Sequence, residues 1–200
     1  MVDKKKLYRF GMGFFAGNEK REEEEIVELF EQFKVPKDAV VLETGLGTGR
    51  FISIVKHCFP KTVCFGTDVV PDFVNNKIKG VELSLQSAEK LSFKNGFFDV
   101  VLCIDVLHHV PDREAALQEL GRVTKKGGLV LFRDIRPVHS ADKIRYRLID
   151  MSCLAYNSNL PRYFKKSEWP KKLKAVGLSI IHTQKFDSQL DWIVCQKAKN

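Results

Sequence analysis

Val40-Val41-Leu42-Glu43-Thr44-Gly45-Leu46-Gly47-Thr48-Gly49-Arg50-Phe51 is the stretch whose reading decides the fold. It opens as a short apolar run, the mark of a buried strand, and breaks at once into three glycines spaced two apart. The amphipathic run Phe51-Ile52-Ser53-Ile54-Val55-Lys56-His57-Cys58 follows, so the order is strand, glycine turn, helix. Glycine is needed where the backbone takes positive φ or must lie against a ligand, and the helix start beyond it presents free N–H groups. This is the geometry of a nucleotide-binding turn. A dinucleotide fingerprint of the Gly-x-Gly-x-x-Gly type would need its third glycine at position 50, which is Arg50, and that argues against a nicotinamide-dependent dehydrogenase.

Working outward, Thr62 to Asp68 reads as a second buried strand that ends in a carboxylate. In a doubly wound sheet such a carboxylate sits beside the first strand, where it can accept hydrogen bonds from ribose hydroxyls. A cap for the helix beginning at Pro71 is the alternative role for Asp68. Val81 to Gln86 supplies a third strand, and Gly96 to Asp105 a fourth that runs into the Leu107-His108-His109 loop. Glu114 to Val123 is an amphipathic helix, which Lys126-Gly127-Gly128 is expected to stop before a fifth strand, Leu129 to Phe132. Upstream, Glu22 to Phe33 has helical apolar spacing, with acids at the end that the helix dipole favours, and reads as a surface helix.

A chain of 200 residues with 44% hydrophobic content is the size of one domain. Five scattered cysteines (Cys58, Cys64, Cys103, Cys153, Cys195), without CxxC or CxxH pairing, argue against a disulfide framework or a zinc site, so no metal is expected. No apolar leader and no run of about 18 apolar residues occurs, and the expectation is a soluble, cytoplasmic protein without a membrane span. The net charge of +8 is unevenly spread, since Arg133 to Lys174 holds eleven basic and four acidic residues. Such a patch suits an anionic substrate, nucleic acid or an acidic surface, or is a solvated lysine-rich face.

Taken together, the acidic-led glycine motif, FGTDVVPDFV, SAEKLSFKNGFFDVVLCIDVLHHVPD and ELGRVTKKGGLVLFRDI resemble the class I S-adenosylmethionine-dependent methyltransferases. They are similar to the ubiquinone and menaquinone C-methyltransferase-like enzymes that act on small molecules. The resemblance covers residues 38 to 135. It implies a three-layer α/β, Rossmann-like, doubly wound sheet of seven mostly parallel strands. Leu178 to Phe186 and Leu190 to Lys197 form a plausible closing antiparallel hairpin. The same resemblance implies that Gly45, Gly47 and Gly49 approach the ribose and methionine part of S-adenosylmethionine, with Glu43 supporting the turn. Asp68 would bind the ribose, Val69 would pack on the adenine, and Ser87 and Ala88 would meet its edge. The family usually has aspartate at Ser87, and the lost acceptor would be supplied by Glu89 or go unreplaced. Ile104 and Asp105 would lie beside the sulfonium.

Methyl transfer from a sulfonium is an in-line displacement, so a protein mainly aligns and desolvates the nucleophile. If a proton must leave, Asp105, His108, His109, Asp134 and His139 are the ionisable groups near strand ends. In the family's Leu-His-His pattern one histidine usually packs structurally. Residues 1–20 form a candidate lid, with Tyr8, Phe10, Phe14 and Phe15 on a glycine-jointed basic segment; a frayed terminus or packed arm is the plainer alternative. Residues 137–166, outside the resemblance, are read as an acceptor cap inserted in the single domain. There Arg145 and Arg147 among Tyr146, Tyr156 and Tyr163 favour a planar or anionic small molecule. The alternatives are a nucleic-acid methyltransferase and a non-catalytic cofactor-binding regulator. Against the first, the Asp/Asn-Pro-Pro-Tyr/Phe signature of amino-group methylases is absent where the chain reads Ile104-Asp105-Val106-Leu107.

Overall fold

A computed structural model of the protein describes residues 19–135, 164–165, 167–185 and 190–199. The expected lid before residue 19, the cap between 137 and 163, His139 and the side chain of Asp134 lie outside the described residues. Helix α1 (Glu19–Gln32) leads into strand β1 (Val40–Thr44), followed by α2 (Arg50–Cys58), β2 (Val63–Asp68), the short α3 (Pro71–Val74) and β3 (Val81–Leu85). Then come β4 (Phe98–Ile104), a single 3₁₀ turn (Leu107–His109), α4 (Arg113–Val123), β5 (Thr124–Ile135), α5 (Trp169–Ala175), β6 (Leu178–Lys185) and β7 (Leu190–Lys197).

The seven strands form one sheet in the order β3-β2-β1-β4-β5-β7-β6. β1 pairs in parallel with β2 and β4, β2 with β3, and β4 with β5. β7 inserts antiparallel between β5 and β6, so the expected hairpin closes the sheet. The order reverses at β1, the switch point beside which open α/β sheets bind ligands at the carboxyl ends of their strands.

Side chains alternate across a strand, and here both faces are covered. Val41, Val100, Leu102 and Leu131 join Ile26, Leu29, Phe30, Ile52 and Val55 in one core cluster, under α1 and α2. Leu42, Val101, Cys103, Val130 and Phe132 join Leu117, Leu120 and Leu173 in the other, under α4 and α5. The apolar runs Val40-Val41-Leu42 and Val100-Val101-Leu102 are thus continuous because each strand is buried on both sides.

The end of α4 differs from expectation. The helix stops at Thr124, whose Oγ1 donates to Leu120 O at 2.6 Å, and the chain passes directly into β5. Thr124 pairs with Phe98 and Leu129 with Val100, so Lys125 to Gly128 bulge opposite Asp99. Gly127, at φ 76°, and Gly128, where a Cβ would come within 2.9 Å of Asp99 O, shape this bulge and not the helix end.

The acids of α1 also do more than complement a dipole. Glu22 and Glu25 are buried, on the face that carries Ile26 and Leu29. Among the described residues Trp192 is the largest fully buried side chain, and its Nε1 needs an acceptor, which Glu25 Oε2 supplies at 2.6 Å. Among the described residues no helix is long and apolar enough to cross a membrane.

Candidate active site

The glycine turn follows β1 directly. Gly45, Gly47 and Gly49 have φ of 71°, 52° and 74°, the left-handed region that only glycine enters without strain. A Cβ on Gly45 would lie 2.2 Å from a methyl of Val106, so the turn and the end of β4 touch at bare backbone. Glu43, the last but one residue of β1, is buried; its Oε2 accepts from Ile52 N at 2.8 Å. Ile52 lies in the first turn of α2, where backbone N–H groups have no helical partner, so a strand carboxyl anchors the helix start. Burial pushes the Glu43 carboxyl up to about 8, against the opposing pull of the Ile52 N–H and Arg50.

Asp68, at the end of β2, lies across from the turn. Its Oδ2 accepts from Gly47 N and its Oδ1 from Val70 N, each at 2.9 Å. Burial raises its pKa while these backbone donors lower it. Leu46 N donates to Thr67 O at 2.9 Å, a second tie between the same loops. The carboxylate therefore ties the glycine turn to the bend before α3, whose N-cap residue is Val70 and carries no side-chain cap bond. Val69, next to it, is among the most exposed large apolar residues described.

In the loop after β3, Ser87 Oγ donates to Glu89 Oε2 at 2.9 Å, and Asp112 N donates to Glu89 Oε1 at 2.7 Å. Both Glu89 oxygens are thus occupied in fastening this loop to the start of α4. Ala88 is buried in the core cluster under α4. Ile104 likewise sends its side chain into the core beside Phe51 and Trp192.

Asp105 has φ 55°, uncommon for a residue other than glycine. Arg133 holds it by two bonds: Asp105 N donates to Arg133 O at 2.7 Å, and Arg133 Nη2 donates to Asp105 Oδ2 at 2.9 Å. Arg133 is itself buried, stacked over Phe51 and Trp192 with Cζ 4.6 and 5.4 Å from their ring centres. Its other arm reaches Glu22 Oε1 at 2.9 Å. Sequence reasoning counted Arg133 in a surface patch and Glu22 on a dipole. An arginine in the run Leu129-Val130-Leu131-Phe132-Arg133 and an acid four residues before Ile26 on an apolar face were the available signals.

The histidine pair follows. His108 is buried, and its ring centre lies 4.0 Å from that of His109. Burial, with a smaller contribution from His108, lowers His109 to about 3. Asp134 pairs in register with Asp191 of β7 at the same end of the sheet. Among the described residues no three His, Cys, Asp or Glu side chains converge as a metal site would need. The described site thus brings Glu43, the three glycines, Asp68 and Asp105 to the carboxyl ends of β1, β2 and β4.

A family model described as "Methyltransferase domain" matches residues 17–183. A tRNA (carboxymethyluridine(34)-5-O)-methyltransferase of Arabidopsis thaliana is 34% identical over 103 residues, which is 48% of this chain and 24% of that protein. A fatty-acid O-methyltransferase of Mycolicibacterium smegmatis is 31% identical over 115 residues, 55% of this chain and 42% of that protein. The chain therefore spans less than half the length of these curated relatives. Over 98% of the chain and 99% of the other, the fold matches that of a SAM-dependent methyltransferase from Aquifex aeolicus with a TM-score of 0.70 at 16% identity.

Proposed function

The chain belongs to the class I S-adenosylmethionine-dependent methyltransferases, and on that footing we propose that it moves the cofactor's methyl group to a small, planar or anionic acceptor by in-line displacement. The observation that carries this reading is the convergence of the Glu43-anchored glycine turn, Asp68 and Asp105 beside the switch point of the sheet. Three observations support the cofactor: Gly45 leaves no room for a side chain, Val69 offers open apolar surface, and Asp68 sits against the turn at Gly47 N.

S-adenosylmethionine supplies an electrophilic methyl carbon on a good leaving group. The chain's own part is therefore alignment and exclusion of water. Gly45, Gly47 and Gly49 bind the ribose and methionine arm through backbone. Asp68 accepts from the ribose hydroxyls, Val69 packs on the adenine, and the Ser87-Ala88 backbone meets its edge. His109, lowered to about 3, is a neutral imidazole near neutrality, a weak base that still carries one ring N–H. A proton leaving the acceptor goes to Asp105 or Asp134. Residues 137–166 cap the cleft within the same domain, and alanine at Arg145 and Arg147 raises the acceptor KM without changing cofactor affinity.

A second reading, methylation of RNA, is favoured by two observations. The net charge is +8, and a relative that matches 48% of this chain is named for a transfer RNA nucleotide. Incubation with labelled cofactor against metabolite pools and, separately, transfer RNA decides between them. The expected result is one metabolite heavier by a methylene. Labelling of RNA alone favours the second reading, and transfer to neither overturns both.

A further inference from the structure

The most deeply buried charge cluster among the described residues is not used by the cofactor contacts above. Arg133 is 1% exposed and Glu22 2%. Arg133 Nη1 and Arg50 Nη2 both donate to Glu22 Oε1, each at 2.9 Å, while Arg133 Nη2 takes Asp105 Oδ2. Each carboxylate therefore gives one oxygen to a guanidinium. The second oxygens, Glu22 Oε2 and Asp105 Oδ1, are buried and accept no hydrogen bond. A buried acceptor without a donor costs about 1–3 kcal/mol, more for a charged one, so such a pair points to a missing donor.

Position narrows what that donor is. Arg50 and Phe51 directly follow Gly49, and the Arg133 and Arg50 guanidiniums lie over the Phe51 ring at 4.6 and 5.0 Å. Asp105 precedes Val106, whose methyl groups abut Gly45. Glu22 is thus tied to the residue after Gly49 through Arg50, and Asp105 adjoins the residue that packs on Gly45. A neutral hydroxyl brings one proton to two open acceptors. A primary ammonium brings three and the opposite charge.

We propose that Arg133 is a positioning residue that holds Glu22 and Asp105 as a two-carboxylate acceptor for the α-ammonium of the cofactor's methionine arm. The proposal rests on the cofactor reading above. It assigns Asp105 to holding the cofactor, so the proton leaving the acceptor falls to Asp134. Arg133 serves both halves at once, because it grips the backbone and side chain of Asp105 while its other arm fixes Glu22.

The test is calorimetric titration of S-adenosylhomocysteine, and of its analogue lacking the α-amino group, into wild type, Glu22→Gln, Asp105→Asn and Arg133→Met. Melting curves accompany each variant, and the isosteric Glu22→Gln and Asp105→Asn keep the test open if Arg133→Met does not fold. The expected result is about tenfold or greater weakening of S-adenosylhomocysteine in each folded variant, with the deaminated analogue shifted less than about threefold. Equal weakening of both ligands, or of neither, overturns the proposal. Wild type that binds both ligands equally overturns it while leaving the cofactor reading intact. Wild type that binds neither overturns the cofactor reading itself.

Discussion

Glu22 of α1 and Arg133 of β5 stand 111 residues apart in the chain and meet through a 2.9 Å hydrogen bond with both side chains buried. Breaking a buried pair by removing one partner leaves an uncompensated charge, at a typical cost of about 3–5 kcal/mol. Glu22→Ala should therefore lower unfolding stability by about 3 kcal/mol or more in guanidinium titrations. The double variant Glu22→Ala/Arg133→Met should lose less than the two single losses added. Strict additivity would contradict the coupling.

Glu43 predicts a pH dependence. Its carboxyl lies at about 8 in the folded chain against an ordinary value of 4.5, because burial disfavours the charge. The folded state therefore binds the extra proton between these values. Stability is full below about pH 4.5, falls as pH rises, and the loss is complete once pH passes about 8, at up to about 1.4 kcal/mol per unit. Glu43→Gln keeps an acceptor for Ile52 N without the titration. Its unfolding free energy should match wild type near pH 5 and exceed it near pH 8. Parallel pH profiles for the two proteins would refute the assignment.

The two ends of the glycine turn should differ in tolerance. A Cβ on Gly45 meets the branched Val106 at 2.2, 2.7 and 3.0 Å, whereas on Gly49 the nearest obstacle is the tip of Ile78 at 2.2 Å, with the next atom at 3.5 Å. Both positions add the strain of a side chain at positive φ, about 1–2 kcal/mol. Gly45→Ala should lower the melting temperature more than Gly49→Ala, since a valine Cβ cannot swing aside as the end of an isoleucine can. The opposite ranking in a thermal shift measurement would contradict the geometry.

Asp68 ties Gly47 N and Val70 N together. Asp68→Ala should cost about 1–3 kcal/mol of stability from those lost acceptors. It should also weaken adenosine, which carries the ribose but no methionine arm. In contrast, Glu22→Gln should leave adenosine affinity unchanged. Calorimetry with adenosine reads both, and equal weakening by the two variants would count against a ribose role for Asp68.

The local parts of this molecule were legible in the sequence. Three glycines two apart, a carboxylate closing β2 and apolar runs too continuous for a one-sided sheet each carry their meaning within a few residues. What could not be read depends on pairing across the sheet. Gly127 and Gly128 look like a helix stop, yet the β4–β5 register needs them as a bulge, and Thr124 ends α4 instead. Arg133 looks like part of a basic surface until β5 is set between β4 and β7, where it meets Asp105, Phe51 and Trp192. Glu22 could be recognised as buried only by giving its place on the Ile26 face more weight than its charge. Glu89, expected to stand in for the missing family aspartate at Ser87, accepts from Ser87 Oγ and from Asp112 N at the start of α4, a tie across elements that the local sequence does not reveal.

The most direct test of the central claim is calorimetric titration of S-adenosylhomocysteine into the wild-type chain and into Gly45→Ala at a temperature where both are folded. The account predicts single-site binding by wild type and at least about a hundredfold loss in the variant, because a methyl group at that position collides with Val106 and forces the turn out of the conformation that holds the ligand. No binding by wild type, or equal binding by the two proteins, would contradict a cofactor site built on the Gly45 to Gly49 turn.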